Sequence, residues 1–224
     1  MLALAAVALF GVTTYAVSSH VLYGKRISGG VFDALTGNPL PGVHVAYVWE
    51  STIVPSGFTG HNSRTICYHA AAAVTDANGH FAIEPWQKWS SYNVVVADPI
   101  ALVYAVGYQP RQILLHEGPA QPPVERQNER YELKPFAGNV DERLDAIWGG
   151  IANRGCPYGG ESQKNLFPMQ KSIYEEARRI ANTEDRRTRV RLFALMAAEV
   201  GIAADPNAPS DDEVVRTFIE ENLR

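Results

Sequence analysis

Residues 31–49 read VFDALTGNPLPGVHVAYVW, and the reading of this stretch decides the fold. Val31–Asp33 and Val43–Trp49 are rich in valine, aromatic and other β-prone residues, which suit a pleated, half-buried surface. Between them, Thr36-Gly37-Asn38-Pro39 carries turn chemistry: glycine accepts positive φ, and proline presets its own φ. Pro41-Gly42 makes an irregular entry to the second run, near a sheet edge, because proline cannot donate to a central ladder. Asp33 is placed to accept backbone N–H groups across the turn. The stretch therefore reads as a turn that lets two strands pair, with Asp33 structural rather than catalytic.

Working outward, the same texture extends from Ile27 to about Phe136. Short β-prone runs recur at 27–33, 43–49, 71–76, 80–85, 92–98, 101–106, 111–115 and 130–136. No helical stretch separates them, the pattern of an antiparallel β-sandwich. Asn78-Gly79 reads as a hairpin turn between the runs ending at Thr75 and starting at His80. Gly107 breaks one strand before Pro110, and the Pro-rich stretch His116–Gln127 reads as a long exposed loop.

After Pro135 the apolar period lengthens toward that of a helix. Asn139 and Glu142 form a capping pair ahead of Leu144, Ile147 and Trp148, with Gly149-Gly150 as the stop. A second helix starts near Phe167-Pro168, its apolar face marked by Ile173, Tyr174, Ala177 and Ile180. Thr183 caps a third through Val200, and Ser210 with Glu213 opens a last one.

The first 23 residues contain no charged side chain, and the apolar core is about 12 residues, shorter than the ~20 of a full span. Residues 1–24 therefore read as a signal peptide, as a retained N-terminal membrane anchor, or as a buried helix; the missing basic n-region stands against the first. The chain of 224 residues has a formal charge of −4, with no domain-wide basic footprint for nucleic acid. The two cysteines, Cys67 and Cys156, would close a loop of about 90 residues as a disulfide in an oxidising compartment, worth ~4 kcal/mol on the chain-entropy estimate. The alternative is two unrelated buried thiols.

Three blocks of residues together resemble the carboxypeptidase regulatory-like domain family, a transthyretin-like β-sandwich. Gly29, Val31, Asp33, Thr36, Gly37, Pro39, Leu40, Gly42, Val43 and Val45 match its first block. Thr75, Asp76, Gly79 and Phe81 match the second, and Gly107-Tyr108 the third. The helical remainder looks like the tail of bacterial exported proteins that carry this domain. The resemblance implies a non-catalytic module at the cell envelope. The match covers roughly residues 27–135, within a sandwich expected at 25–136 and followed by a helical region at 137–224, α+β in all. One enzymatic relative of the fold ends in a Tyr-Arg-Gly-Ser tetrad where this sequence reads EENLR. The intradiol dioxygenases bind iron through a Tyr and His grouping that is not found here in linear form.

Candidate chemistry is sparse. His61, Cys67 and His69 lie close together with His80 nearby, and on a regular strand Cys67 and His69 would share a face. There is no C-x-x-C or H-E-x-x-H, so no metal is expected. Asp76-Ala77-Asn78-Gly79 opens like a calcium loop but lacks the later ligands. Trp86 and Trp89, with Tyr92, would make an aromatic platform for a sugar or a protein. The arginines of RRTRVR, 186–191, read as a solvated helix face. No catalytic residue and no cofactor is expected. The resulting expectation is a non-enzymatic accessory protein, periplasmic or secreted or held at the inner membrane by residues 1–23, that binds a protein partner. The alternative is a carbohydrate-binding module using Trp86 and Trp89.

Overall fold

The computed structural model describes residues 20–53, 64–90, 94–96, 99–115, 125–151, 161–186 and 190. Its strands form three sheets. The largest contains β3 (His44–Ile53), β4 (Arg64–Val74), β7 (Val94–Val96), β8 (Ile100–Tyr104) and β9 (Arg111–Leu114). Here β4, β3, β8 and β9 lie side by side, β7 pairs with the far end of β3, and every pairing is antiparallel. The second sheet sets β2 (Ile27–Asp33) between β5 (His80–Ile83) and β10 (Arg126–Leu133). β2 runs antiparallel to β5, but its pairing with β10 is parallel, a departure from a wholly antiparallel expectation. The third is a two-stranded ribbon of β1 (His20–Gly24) and β6 (Trp86–Ser90). β1 takes up the end of the 1–24 stretch; residues 1–19 lie outside the described residues.

The large sheet is covered on both faces. Val45, Tyr47, Trp49, Ala101 and Val103 point toward Val31, Phe81, Ile83, Tyr131 and Leu133 of the second sheet. Ala46, Val48, Leu102 and Tyr104 point the other way, into a cluster with α1 (Val140–Gly150) and α3 (Phe167–Ile180). Double coverage explains why β8, IALVY, is buried at every position rather than at alternate ones. The helices thus share a core with the strands.

Helix starts follow local chemistry. Both capping-box bonds are present at Asn139: its side chain accepts from Glu142 N at 3.0 Å, and Glu142 accepts from Asn139 N at 2.9 Å. Pro168 sits in the first turn of α3, where a missing N–H costs nothing. Thr183 Oγ1 accepts from Arg186 N at 3.4 Å. Most of the third helix and all of the fourth lie outside the described residues. A single turn, α2 (Glu161–Lys164), was not expected.

The opening stretch does not join two paired strands. β2 and β3 belong to different sheets. Residues 38–40 first fold back on β2, through Asp33 N to Asn38 O at 2.8 Å and Leu40 N to Val31 O at 2.9 Å. The chain then crosses to the other sheet at Pro41-Gly42, with Gly42 at φ +72°. Asn78-Gly79 behaves in the same way. It lies between β4 and β5, again in different sheets, so the expected hairpin is a corner. Gly79 takes φ +73°, and a Cβ there would meet Val31 O at 2.7 Å.

Candidate functional site

Four places hold chemically suggestive side chains, and the first is a buried polar hub at the 105–108 turn. Arg143 of α1 and Glu176 of α3 form a bidentate pair, Nη2–Oε2 at 2.7 Å and Nε–Oε1 at 2.9 Å, with both side chains 5% exposed. Glu176 also accepts from Tyr104 OH at 2.6 Å and Gly107 N at 3.2 Å. Arg143 donates to the carbonyls of Ala105 and Tyr108, and its guanidinium lies 5.2 Å from the Phe136 ring centroid. Burial alone would raise the Glu176 carboxyl, but hydrogen bonds from Arg143 and Tyr104 and the Arg143 charge outweigh it and hold it below its usual range. Burial and the adjacent Glu176 push the Tyr104 phenol well up.

Tyr108 connects this hub to the opening turn: its OH donates to Asp33 Oδ2 at 2.9 Å. Asp33 Oδ1 accepts from Leu35 N and Thr36 N, each at 2.8 Å. The Thr36 and Leu35 N–H groups hold the Asp33 carboxyl below its ordinary range. Thr75 Oγ1 accepts from Val43 N at 2.9 Å and donates to Leu40 O at 2.7 Å. Asp76 Oδ1 accepts from Asn78 N and His80 N at 2.9 and 2.8 Å. These are turn-holding roles. The residues that first invite a catalytic or calcium reading are occupied with their own backbone.

The second place is an aromatic cluster where β3, β4 and β6 meet. Trp86 lies edge-on to Trp49 at 5.2 Å and 4.2 Å from the His69 ring. Its indole packs so closely on Gly24 that a Cβ there would sit 2.1 Å from Nε1. Burial, then the charge of Lys88, lowers the His69 pKa to about 4. Cys67 and His69 do not share a face as a regular strand would require. A register shift opposite Trp49/Glu50 leaves Tyr68 as the extra residue. Cys67 therefore joins the helix-facing cluster, while His69 meets Trp49 and Trp86. His61 lies outside the described residues, and no group of three metal-ligating side chains occurs among them.

The third place is the outer face of the ribbon. Trp86 and Trp89 are three residues apart on β6, so they project to opposite sides. Trp86 faces the core and Trp89 is 68% exposed. The strand does not bring the two indoles into one platform, and Tyr92 lies outside the described residues. The fourth is a pair of grooves. One, of about 420 Å³, lies over the second sheet beside Phe32, His80 and Arg130. The other, of about 460 Å³, runs along β9 between Gln109, Arg111, Gln112, Glu132 and Lys134.

Cys67 is buried on β4, and no free cysteine occurs among the described residues; Cys156 lies outside them. Arg186 pairs with Asp141 of α1 at 2.7 Å instead of pointing wholly into solvent. Sequence reasoning missed the Arg143–Glu176 pair altogether. Its only signal was a charged residue on the apolar side of each helix, since Glu176 lies beside Ile173 and Ala177. No described helix is long and apolar enough to cross a membrane.

No protein-family profile matches the chain, and no curated protein matches it. Among solved structures, a 9R-lipoxygenase from Cyanothece PCC8801 aligns with 88% of this chain and 28% of its own, at 12% identity and a TM-score of 0.22. A superposition at that score carries no argument about fold or function.

Proposed function

We propose that the chain is a non-enzymatic accessory protein of the bacterial envelope, built on a transthyretin-like β-sandwich of the carboxypeptidase regulatory-like type, that binds a protein partner. The observation that carries this reading is the groove along β9. Among the described residues β9 is hydrogen-bonded as a strand on one side only, to β8. Its outer side opens on a polar groove carrying Arg111, Lys134 and Glu132. A partner segment in extended conformation would add to that edge through its main chain, with the mixed charges selecting its side chains. The Pro-rich stretch follows β9 directly in sequence. The saturated hub supports the same reading, because its buried charges hold the scaffold and are turned away from solvent.

Crosslinking followed by affinity purification from native membranes tests the proposal. Recovery of one stoichiometric partner, lost on Arg111→Glu, supports it. A lone monomer, or a partner indifferent to that change, overturns it. The Cys67–Cys156 disulfide and export belong to the same proposal. Mass measurement of the unreduced chain is expected to find no free thiol, and reduction to cost about 4 kcal/mol of stability. Two free thiols in protein recovered from the envelope would overturn that part.

A further inference from the structure

The ribbon of β1 and β6 has two unlike faces. In its register Val21 lies opposite Trp89, Leu22 opposite Lys88, Tyr23 opposite Gln87 and Gly24 opposite Trp86. Residues directly opposite one another project to the same side. Gly24 and Trp86 therefore mark the inner face, seated on Trp49. Val21, Tyr23, Gln87 and Trp89 form the outer one. There Trp89 is 68% exposed and Tyr23 is 42% exposed, and Lys25 Nζ stands 5.8 Å from the centre of the Tyr23 ring. A tryptophan and a tyrosine held open on one face of a strand pair need a reason, since Trp49 beneath the ribbon shows that this fold can bury an indole.

We infer that this outer face seats on the interfacial layer of a phospholipid bilayer carrying anionic headgroups. Two further observations select that occupant. The first is charge. Lys25, beside the Tyr23 ring, and Arg26 follow the outer-face aromatic directly, in a chain whose formal charge is −4, whereas Lys88 belongs to the inner face, where it donates to Tyr68 O at 3.1 Å. Arg26 forms an ion pair with Glu84 at 3.7 Å, so the positive charge offered at this face rests on Lys25. The second is continuity. Residues 1–19 carry no charged side chain and run straight into His20 at the start of β1. Tryptophan and tyrosine are the residues that concentrate at the headgroup level, with an apolar body turned toward the acyl chains and a polar edge toward water. Lysine reaches from the same depth to the phosphates. The seat deepens the envelope proposal, yet it does not require the protein partner.

The test uses the full chain and its Trp89→Phe variant, with vesicles of phosphatidylcholine and phosphatidylglycerol. In buffer, iodide is expected to quench wild-type fluorescence more than that of the variant, because Trp89 is the exposed indole. On vesicles the iodide-sensitive part is expected to disappear. Lipid brominated close to the headgroup should then quench wild type and leave the variant unchanged. Cosedimentation with Trp89 still open to iodide would overturn the seat, because another segment would then be making the contact. Failure to cosediment would also overturn it, as would protection of Trp89 by soluble glycans in place of vesicles. None of these three outcomes bears on partner capture through β9, so the two proposals fail separately.

Discussion

The two faces of the large sheet solve burial differently. Toward the second sheet the contact is almost wholly apolar and aromatic, with the Tyr47 and Phe81 rings 6.4 Å apart across it. Its polar feature is a Tyr47–Tyr131 hydroxyl pair at 2.5 Å. Toward the helices the apolar contact surrounds a bidentate ion pair held by a phenol and the backbone of one turn. Neutral hydroxyls cost little to bury once they are paired. A buried ion pair stabilises little against an apolar replacement, but it penalises any packing in which one partner is left alone. Apolar burial on both faces therefore sets how much stability the body has, and the buried ion pair sets where the helices dock.

The largest test breaks that dock. Glu176→Ala leaves Arg143 buried without its partner and is expected to cost about 3–5 kcal/mol in chemical denaturation. Replacing the group together, as Arg143→Met, Glu176→Leu and Tyr104→Phe, should recover most of the loss. If the triple variant is as unstable as the single, the ion pair stabilises the fold in its own right and the contrast fails. Acid probes the same place. The folded Glu176 carboxyl lies below its usual range, so its contribution is full above the ordinary carboxylate pKa and is lost as pH falls through the folded value. The denaturation midpoint of wild type should drop on acidification by more than that of Glu176→Gln.

On the strand-facing side, Tyr47→Phe strands the Tyr131 hydroxyl and is expected to cost about 1–3 kcal/mol, with Tyr47→Phe/Tyr131→Phe close to neutral. Burial pushes the Tyr131 phenol up to about 12, so this cost should not change between neutral and mildly acidic pH. The smallest effect belongs to the turn that joins the two systems. Gly107 has φ +78°, and nothing lies within 4 Å of the place a Cβ would take. Gly107→Ala should therefore cost only the backbone term, about 1 kcal/mol. A much larger loss in a thermal melt would show that the turn holds the helices by more than its conformation.

Much of the architecture is legible in the residues. β2 is readable residue for residue from ISGGVFD, because glycine, valine and phenylalanine there alternate between two surfaces. α1 is readable from Asn139 and Glu142, because capping is a local interaction. What sheet a strand joins is not local: VFDALTGNPL and TDANGHF look like hairpins because turn chemistry is the same whether the next strand pairs or crosses over. β6 was hidden by its composition, since WQKWS reads as an aromatic loop until β1 pairs with it. Residues 71–76 read as a strand, but the start of β4 at Arg64 and its contact with Asn165, whose Nδ2 reaches Ala70 O at 2.8 Å just after α2, depend on residues far away in sequence. At the candidate sites, Asp33 was legible as a turn holder. The hub was not, because its two charges are 33 residues apart on separate helices.

The parallel pairing of β10 with β2 has a consequence for how the chain comes to be folded. Ile27 meets Arg126, and Gly29 meets Glu129 across a bulge where Asn128 takes φ +61°. One side of β2 therefore stays unpaired until about a hundred more residues have been made, a closure of the non-local kind that slows folding. During that wait an apolar strand edge is open on the growing chain, where a neighbouring chain or a chaperone can reach it. Synthesis order, as much as final stability, will then govern the yield of this protein, and slowing translation before residue 126 should lower it.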